Sequence, residues 1–284
     1  MSAVIPESAR PVLDRHFGAA WRDATVTEVT GTANFVCRLR IGREAFALRV
    51  PRISDRVARV DRASELAAQR AAADAGLAPQ VVASDERTGV LVTRWMAGTV
   101  WSHERACEAE AIVAIASLFR KLHGLPSAGV RRIRLEKLIE DYAVQLAGMG
   151  GEAADACRSL RPVADARVAA VGDAKPVLCH NDVHHRNVVQ AGHFARSNLC
   201  LLDWEYSGYG AAAFDLAGYA SYHDLDDRAA SLLLDSYAGG VASATFAHWR
   251  WLFDYVRALW GTVTASTGGV GDPLPVLRRL LSAH

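Results

Sequence analysis

The chain has 284 residues, of which 51% are hydrophobic and 22% charged, and its 32 Lys and Arg nearly balance 31 Asp and Glu. That composition supports a sizeable core, in one large domain or two smaller ones, and excludes a disordered chain. A net charge of +1 gives no electrostatic case for nucleic acid or an anionic membrane as partner. Residues 1–17 contain Pro6, Glu7 and Asp14 where a secretory leader needs a basic start and an unbroken apolar run. No stretch reaches the roughly eighteen apolar residues of a membrane-spanning helix. The five cysteines, at 37, 107, 157, 179 and 200, are odd in number and scattered, the pattern of reduced thiols in a cytoplasmic protein.

In chain order, residues 6–17 predict a short leading helix, and strands follow over 25–30, 35–41 and 44–50. Period-two alternation in the third strand puts Phe46, Leu48 and Val50 on one face and Ala45, Ala47 and Arg49 on the other. The second face suits a nucleotide: Ala47 leaves room for a flat base, and Arg49 reaches toward phosphates. A helix over 61–75, closed by Gly76 with Pro79 beyond it, carries Glu65 one turn from its start, in position to pair with the strand cation. The turn Gly31-Thr32-Ala33-Asn34 has one glycine where a full glycine-rich loop has three, and Gly31 and Asn34 are its candidates for nucleotide contact. Two more strands, 81–83 and 90–93, complete the strand-rich part. The pattern then changes, so the expected organisation is a nucleotide-binding lobe over 1–94, a hinge at 95–98 and a helical lobe over 99–284.

The first long helical period is Ile112, Ile115, Leu118, Phe119 and Leu122, and further helices are predicted near 131–148 and 152–171. They lead to Cys179-His180-Asn181-Asp182-Val183-His184-His185-Arg186-Asn187-Val188-Val189, which contains the spacing His-x-Asp-x-x-x-x-Asn. In kinase chemistry the Asp of such a loop orients and deprotonates an attacking hydroxyl, and the Asn five residues later turns back to hold magnesium. His180 and Asp182 are the candidate catalytic residues. An apolar strand, Leu199-Cys200-Leu201-Leu202, ends in Asp203, where a second metal-holding carboxylate belongs. A zinc site from Cys179, His180, His184 and His185 is the competing reading, but a closed zinc site asks for four ligands at set spacings and no Cys-x-x-Cys accompanies them. Helices are expected near 212–222, 227–238 and 244–265, with a short one after Pro275; in the long one Trp249, Leu252, Phe253, Val256, Leu259 and Trp260 follow a helical period, with Trp251 and Tyr255 on another face.

With these residues in hand, the chain resembles the choline/ethanolamine kinase branch of the aminoglycoside phosphotransferase superfamily, nearly from end to end. The resemblance is carried by Cys179 to Val189 and by Leu201-Leu202-Asp203-Trp204-Glu205-Tyr206-Ser207-Gly208-Tyr209, followed by Phe214-Asp215-Leu216. It implies an α+β, protein kinase-like bilobal fold, with a small antiparallel sheet and one helix in the N-terminal lobe and a larger, mainly helical C-terminal lobe. It also implies ATP and Mg2+ as cofactors and phosphorylation of a small-molecule alcohol, a cationic amino alcohol such as choline or ethanolamine. By the same resemblance Asp182 is the base, Asn187 and Asp203 hold magnesium, Glu205 lies near the acceptor's cationic head, and Asp215 braces the catalytic loop. The aromatic cage for a quaternary ammonium departs from the family pattern: Arg257-Ala258-Leu259-Trp260 supplies one tryptophan and a cation where a second would stand, leaving Tyr222 or Trp251 to compensate. His184, His185 and Arg186 form a basic run that could edge a phosphate site. An aminoglycoside, thiamine or sugar kinase, and a catalytically silent nucleotide-binding scaffold, stay open as alternatives.

Overall fold

A computed structural model describes residues 4–29, 34–191, 199–265 and 272–282. Helix α1 (Arg10–Phe17) precedes strands β1 (Thr25–Val29), β2 (Asn34–Ile41) and β3 (Glu44–Pro51); then come the short α2 (Asp55–Ala58), α3 (Arg62–Asp74), β4 (Val81–Asp85) and β5 (Val90–Arg94). The strands form one antiparallel sheet in the order β1-β2-β3-β5-β4. The alternation read from the sequence holds: Phe46, Leu48 and Val50 are buried with Phe35, Leu39, Val92 and α1's Val12 and Leu13. Burying one face leaves the other, with Ala47 and Arg49, turned toward the rest of the chain. Asp61 caps α3, its carboxylate accepting the Ser64 N–H at 3.0 Å, and Gly76 ends the turn beyond it at φ +74°.

The remainder is mainly helical. β6 (Thr99–Val100), α4 (His103–Cys107), α5 (Ala109–His123), α6 (Leu135–Leu146) and α7 (Glu152–Val171) lead to β7 (Pro176–Cys179), β8 (Val188–Gln190), β9 (Leu199–Leu201) and β10 (Gly208–Ala211). α8 (Ala212–Tyr222), α9 (Asp227–Tyr237), α10 (Ser243–Ala265) and α11 (Leu274–Ser282) follow. This is the α+β arrangement expected: an antiparallel sheet followed by a helical part. β8 lies between β6 and β9, and β7 pairs with β10, so the loop from Cys179 to Val188 is anchored by a different small sheet at each end.

α5 buries Ile112, Ile115, Leu118, Phe119 and Leu122 as its period predicts. α10 is buried more widely than its period predicts. Trp251 and Tyr255, expected on a separate face, are also buried and stack at 5.4 Å, because α6, α7, α8 and α11 all pack against this helix. Trp260, which the period assigned to the core, is only half-buried. At Gly218 of α8 a side chain would meet the Phe253 ring at 2.6 Å, so the α8–α10 approach depends on glycine there. No helix among the described residues is long and apolar enough to cross a membrane.

Candidate active site

The loop after β7 is held from below by Asp215, near the start of α8. The Asp215 carboxylate accepts the backbone N–H groups of His180 at 2.9 Å and Asn181 at 2.6 Å, and His123 Nε2 lies 3.1 Å from it, with Tyr237's hydroxyl 2.8 Å from His123 Nδ1. These bonds tie the loop's main chain to the first turns of α8. Asn181 takes φ +67°, a left-handed conformation that asparagine tolerates, and its amide donates to the Tyr206 carbonyl at 2.9 Å.

These supports leave the Asp182 carboxylate facing a cavity and gripped on both oxygens. Tyr222's hydroxyl donates to Oδ1 at 2.6 Å, while Asn187 Nδ2 donates to the Asp182 carbonyl at 2.9 Å and to Oδ2 at 3.3 Å. Burial raises the Asp182 pKa above the ordinary carboxylate range, and the Tyr222 hydrogen bond is the largest effect opposing it.

His180 is not placed for catalysis. It is fully buried, its Nε2 lies 2.9 Å from the Leu202 carbonyl, its Nδ1 accepts the Asp182 N–H at 3.3 Å, and its ring meets Trp204 edge-on at 4.8 Å. Burial lowers its pKa and favours the neutral ring that this pair of bonds requires. With both nitrogens committed, it ties the loop to the end of β9 and has no access to a substrate.

Beside Asp182, the residue after β9's extension, Asp203, adopts φ +62°. The Leu202 N–H donates to the Asn187 carbonyl at 2.8 Å, which brings the main chains before Asp203 and at Asn187 together. Arg49 reaches across from β3: Nη1 donates to Asp203 Oδ1 at 2.9 Å, and Nη2 lies 2.5 Å from Glu65 Oε1. Arg49 is 8% exposed, so its charge is held inside this cluster and not in solvent at the end of β3. Burial works against its charge, but Glu65, Glu205 and Asp203 outweigh that and lift its pKa above the usual value. Asp203 is raised by burial, against the pull of Arg49 and with a further push from Asp182. Asn187, Asp203 and Asp182 offer only oxygen donors, a set suited to a hard divalent cation such as magnesium.

Glu205 corrects a second expectation. It does not line the cavity near Asp182; it is 4% exposed, accepts from Asn34 Nδ2 at 3.3 Å and Arg62 Nη1 at 3.3 Å, and lies 3.8 Å from Arg49. Burial, then Asp203, pushes its pKa up to about 7. Asn34 accordingly faces this carboxylate. Ala47 sits half-buried on the sheet face it shares with Arg49, opposite Arg38 and Thr93. Gly31 lies outside the described residues. Arg62, missed in the sequence, is central: it bridges Glu65 at 2.7 Å, Glu205 and Asp55 from the first position of α3. A sequence signal for it exists, a cation one turn before Glu65 on the same helix face.

The cavity beside Asp182 has a volume of about 360 Å³ and is lined by Tyr206, Tyr222, Trp260, Arg131, Arg257 and apolar side chains including Phe253. Trp260 Nε1 donates to the Tyr206 hydroxyl at 2.9 Å. The Arg257 guanidinium stands over the Tyr222 ring at 5.1 Å. Trp251 cannot complete a cage, since it is buried beside Tyr255 and under Arg167. His184 also lines the cavity, and burial, aided by Arg186, lowers its pKa to about 4, so it adds no positive charge to the expected basic edge at neutral pH. The zinc set weighed from the sequence does not converge among the described residues: His180 is spent on Leu202, and Cys179, His180, His184 and His185 do not bring their ligand atoms within sharing distance of one ion. Among the described residues, the group close enough to share a metal ion is instead His123, Cys179 and Asp215, which is buried and already committed to bracing the loop.

Comparison with solved structures returns proteins of this architecture. The chain is similar to a choline/ethanolamine kinase family protein from Mesorhizobium loti, at 25% identity and a TM-score of 0.75, over 98% of this chain and 92% of that one. It is similar in fold to a choline kinase from Streptococcus pneumoniae (16%, TM-score 0.78, 97% and 98% covered). It is also similar in fold to the GDP and kanamycin complex of the phosphotransferase APH(2")-IIia (14%, TM-score 0.70, 98% and 100% covered). Curated proteins gave no match. The sequence model of the phosphotransferase enzyme family matches residues 25–252, most of the chain and every candidate residue named above except Arg257 and Trp260. The chain belongs to the phosphotransferase enzyme family.

Proposed function

We propose that this phosphotransferase is an ATP-dependent kinase acting on the hydroxyl group of a small molecule. The observation that carries the reading is Asp182: its carboxylate is oriented by Tyr222 at 2.6 Å and by Asn187, at the end of a cavity and next to the cluster of Arg49 and Asp203. In this reading the acceptor occupies the cavity and its hydroxyl points at Asp182, which takes the proton as the oxygen attacks the γ-phosphorus. The bond from that phosphorus to the bridging oxygen breaks, giving ADP and a phosphate ester. Arg49, steadied by Glu65 at 2.5 Å, would meet the ATP phosphates. Asn187 and Asp203 would hold magnesium, which neutralises the phosphate charge. Residues 1–94 would form the nucleotide-binding lobe, 95–98 the hinge and 99–284 the acceptor lobe. The odd number and scatter of the five cysteines accord with a cytoplasmic setting.

Choline or ethanolamine is the acceptor that similarity to the Mesorhizobium loti protein favours. The Arg257 guanidinium over Tyr222 opposes it, since the aromatic face that a quaternary ammonium would use already carries a cation. The test is ADP release across a panel of alcohols. Asp182→Asn should bind Mg-ATP normally and lose about 10²–10⁴-fold in kcat; full activity in that variant would sink the assignment of the base. Mg-ATP binding with no product from any alcohol would favour the scaffold alternative.

A further inference from the structure

The wall of this cavity is cationic in a way that the phosphotransfer chemistry does not use. Three arginines line it, Arg59, Arg131 and Arg257, against a single carboxylate, Asp272, apart from the base Asp182. Arg59 is in close contact with Asp141, which Lys137 also pairs with at 2.7 Å. Arg131 is not matched in this way, and Arg257 only at longer range. Arg131 donates from Nη1 to the Arg59 carbonyl at 2.6 Å, its buried Nε has no hydrogen-bond partner, and no carboxylate among the described residues pairs with it. Burial lowers its pKa below the ordinary arginine value, and the more distant Asp61 does not make up for that. Arg257 reaches Asp254 Oδ1 only at 3.6 Å; the other oxygen of that carboxylate accepts from Arg279 at 2.7 Å, and Arg279 also pairs with Asp224. Arg257 also lies over the ring whose hydroxyl holds Asp182, one ring's length from the reacting carboxylate.

Resting on the kinase reading above, we infer that the acceptor is an alcohol bearing an anionic group, a carboxylate or a phosphate, bound by Arg131 and Arg257 while its hydroxyl meets Asp182. Guanidinium is the side chain best matched to such groups, because its planar fork can donate two parallel hydrogen bonds to two oxygens. A cationic amine in the same place would meet Arg131, which has no ion pair among the described residues, and Arg257, held only loosely by Asp254, and would find the Tyr222 face taken. A neutral polyol would leave the half-buried Arg131 without an ion pair and Arg257 with only its 3.6 Å contact to Asp254.

The experiment measures kcat/KM with Mg-ATP for D-glycerate, glycerol 3-phosphate, neutral glycerol, ethanolamine and choline. Titration calorimetry of the two anions accompanies it. An anionic member should exceed glycerol and both amines by about tenfold or more, and whether glycerate or glycerol 3-phosphate leads separates carboxylate from phosphate. Arg131→Gln and Arg257→Gln should each raise the KM for that anion by about tenfold while changing kcat less. Arg257→Glu should shift preference toward ethanolamine, a gain that misfolding cannot imitate. Preference for choline or ethanolamine in the wild type, equal turnover of glycerol, or failure of both anions to bind would each overturn the inference. Anion binding that is lost in Arg131→Gln, with no alcohol phosphorylated, would instead refute the kinase reading and leave the anion site standing.

Discussion

Replacing Tyr222 with Phe isolates one hydrogen bond at the proposed base. The hydroxyl donates to Asp182 Oδ1 at 2.6 Å, the shortest of the contacts to that carboxylate, while the Asn187 amide stands at 3.3 Å from the other oxygen. A hydrogen bond to an ionised group contributes about 1.5–3 kcal/mol. At 1.36 kcal/mol per pKa unit, its loss should raise the Asp182 pKa by about one to two units, the direction in which burial already pushes it. Only the ionised carboxylate can accept the acceptor's proton, so the acidic limb of kcat/KM should move to higher pH by the same amount. On the acid side, activity should fall about 10- to 100-fold, and well above the limb the variant should approach the wild type. Phe keeps the ring beneath Arg257, so acceptor charge preference should persist. The assay is the pH dependence of kcat/KM between acidic and mildly alkaline pH for both proteins, with Mg-ATP affinity as a control. An acidic limb that stays in place, or moves to lower pH, would refute the assignment of Asp182 as the titrating base.

Arg62→Met removes the cation that lies 2.7 Å from Glu65 and 3.3 Å from Glu205, leaving buried carboxylates short of a partner. Urea unfolding should show a loss of about 3–5 kcal/mol, and a loss within error of zero would mean that the pair only offsets its own desolvation. Glu205 should make stability fall as pH rises. Its pKa near 7 in the folded chain lies above its unfolded value, so the folded state holds the extra proton; the contribution is complete below the unfolded pKa and is lost as pH climbs through 7. Without nucleotide, the wild type should therefore lose stability relative to Glu205→Gln between pH 5 and pH 8, by up to about 3 kcal/mol, and a difference of the opposite sign would contradict the burial argument. Gly218→Ala drives a methyl group to 2.6 Å from the Phe253 ring. Overpacking of about 1–3 kcal/mol should exceed the ~1 kcal/mol gained in helix propensity, giving a lower Tm that Phe253→Leu restores.

Local periodicity and short spacings make much of this molecule legible in its amino-acid sequence alone. Two-residue alternation assigns Phe46, Leu48 and Val50 to the core and Arg49 to the opposite face, because successive side chains on a strand must point to opposite sides. The start of α3 is legible because Asp61 caps it and Glu65 follows within its first turn. The relation of Asp182 to Asn187 is equally readable, since a loop that short must fold the amide back onto the residue five positions before it. Other features belong to pairs distant in the chain. Glu205 meets Asn34 across 171 positions and Arg62 across 143, so nothing near Glu205 in sequence could disclose that it serves the arginine cluster and not the acceptor. His180 reads as catalytic from its place in the motif, yet the Leu202 carbonyl, 22 positions on, claims its ring. α10 escapes its periodicity for a related reason: with neighbours on several sides, it buries tryptophans and tyrosine around much of its circumference, and no single apolar stripe marks an inner face. The position of Arg257 over Tyr222, which decides the charge of the cavity, is set by how α10 packs against α8, and only the tertiary structure decides that packing.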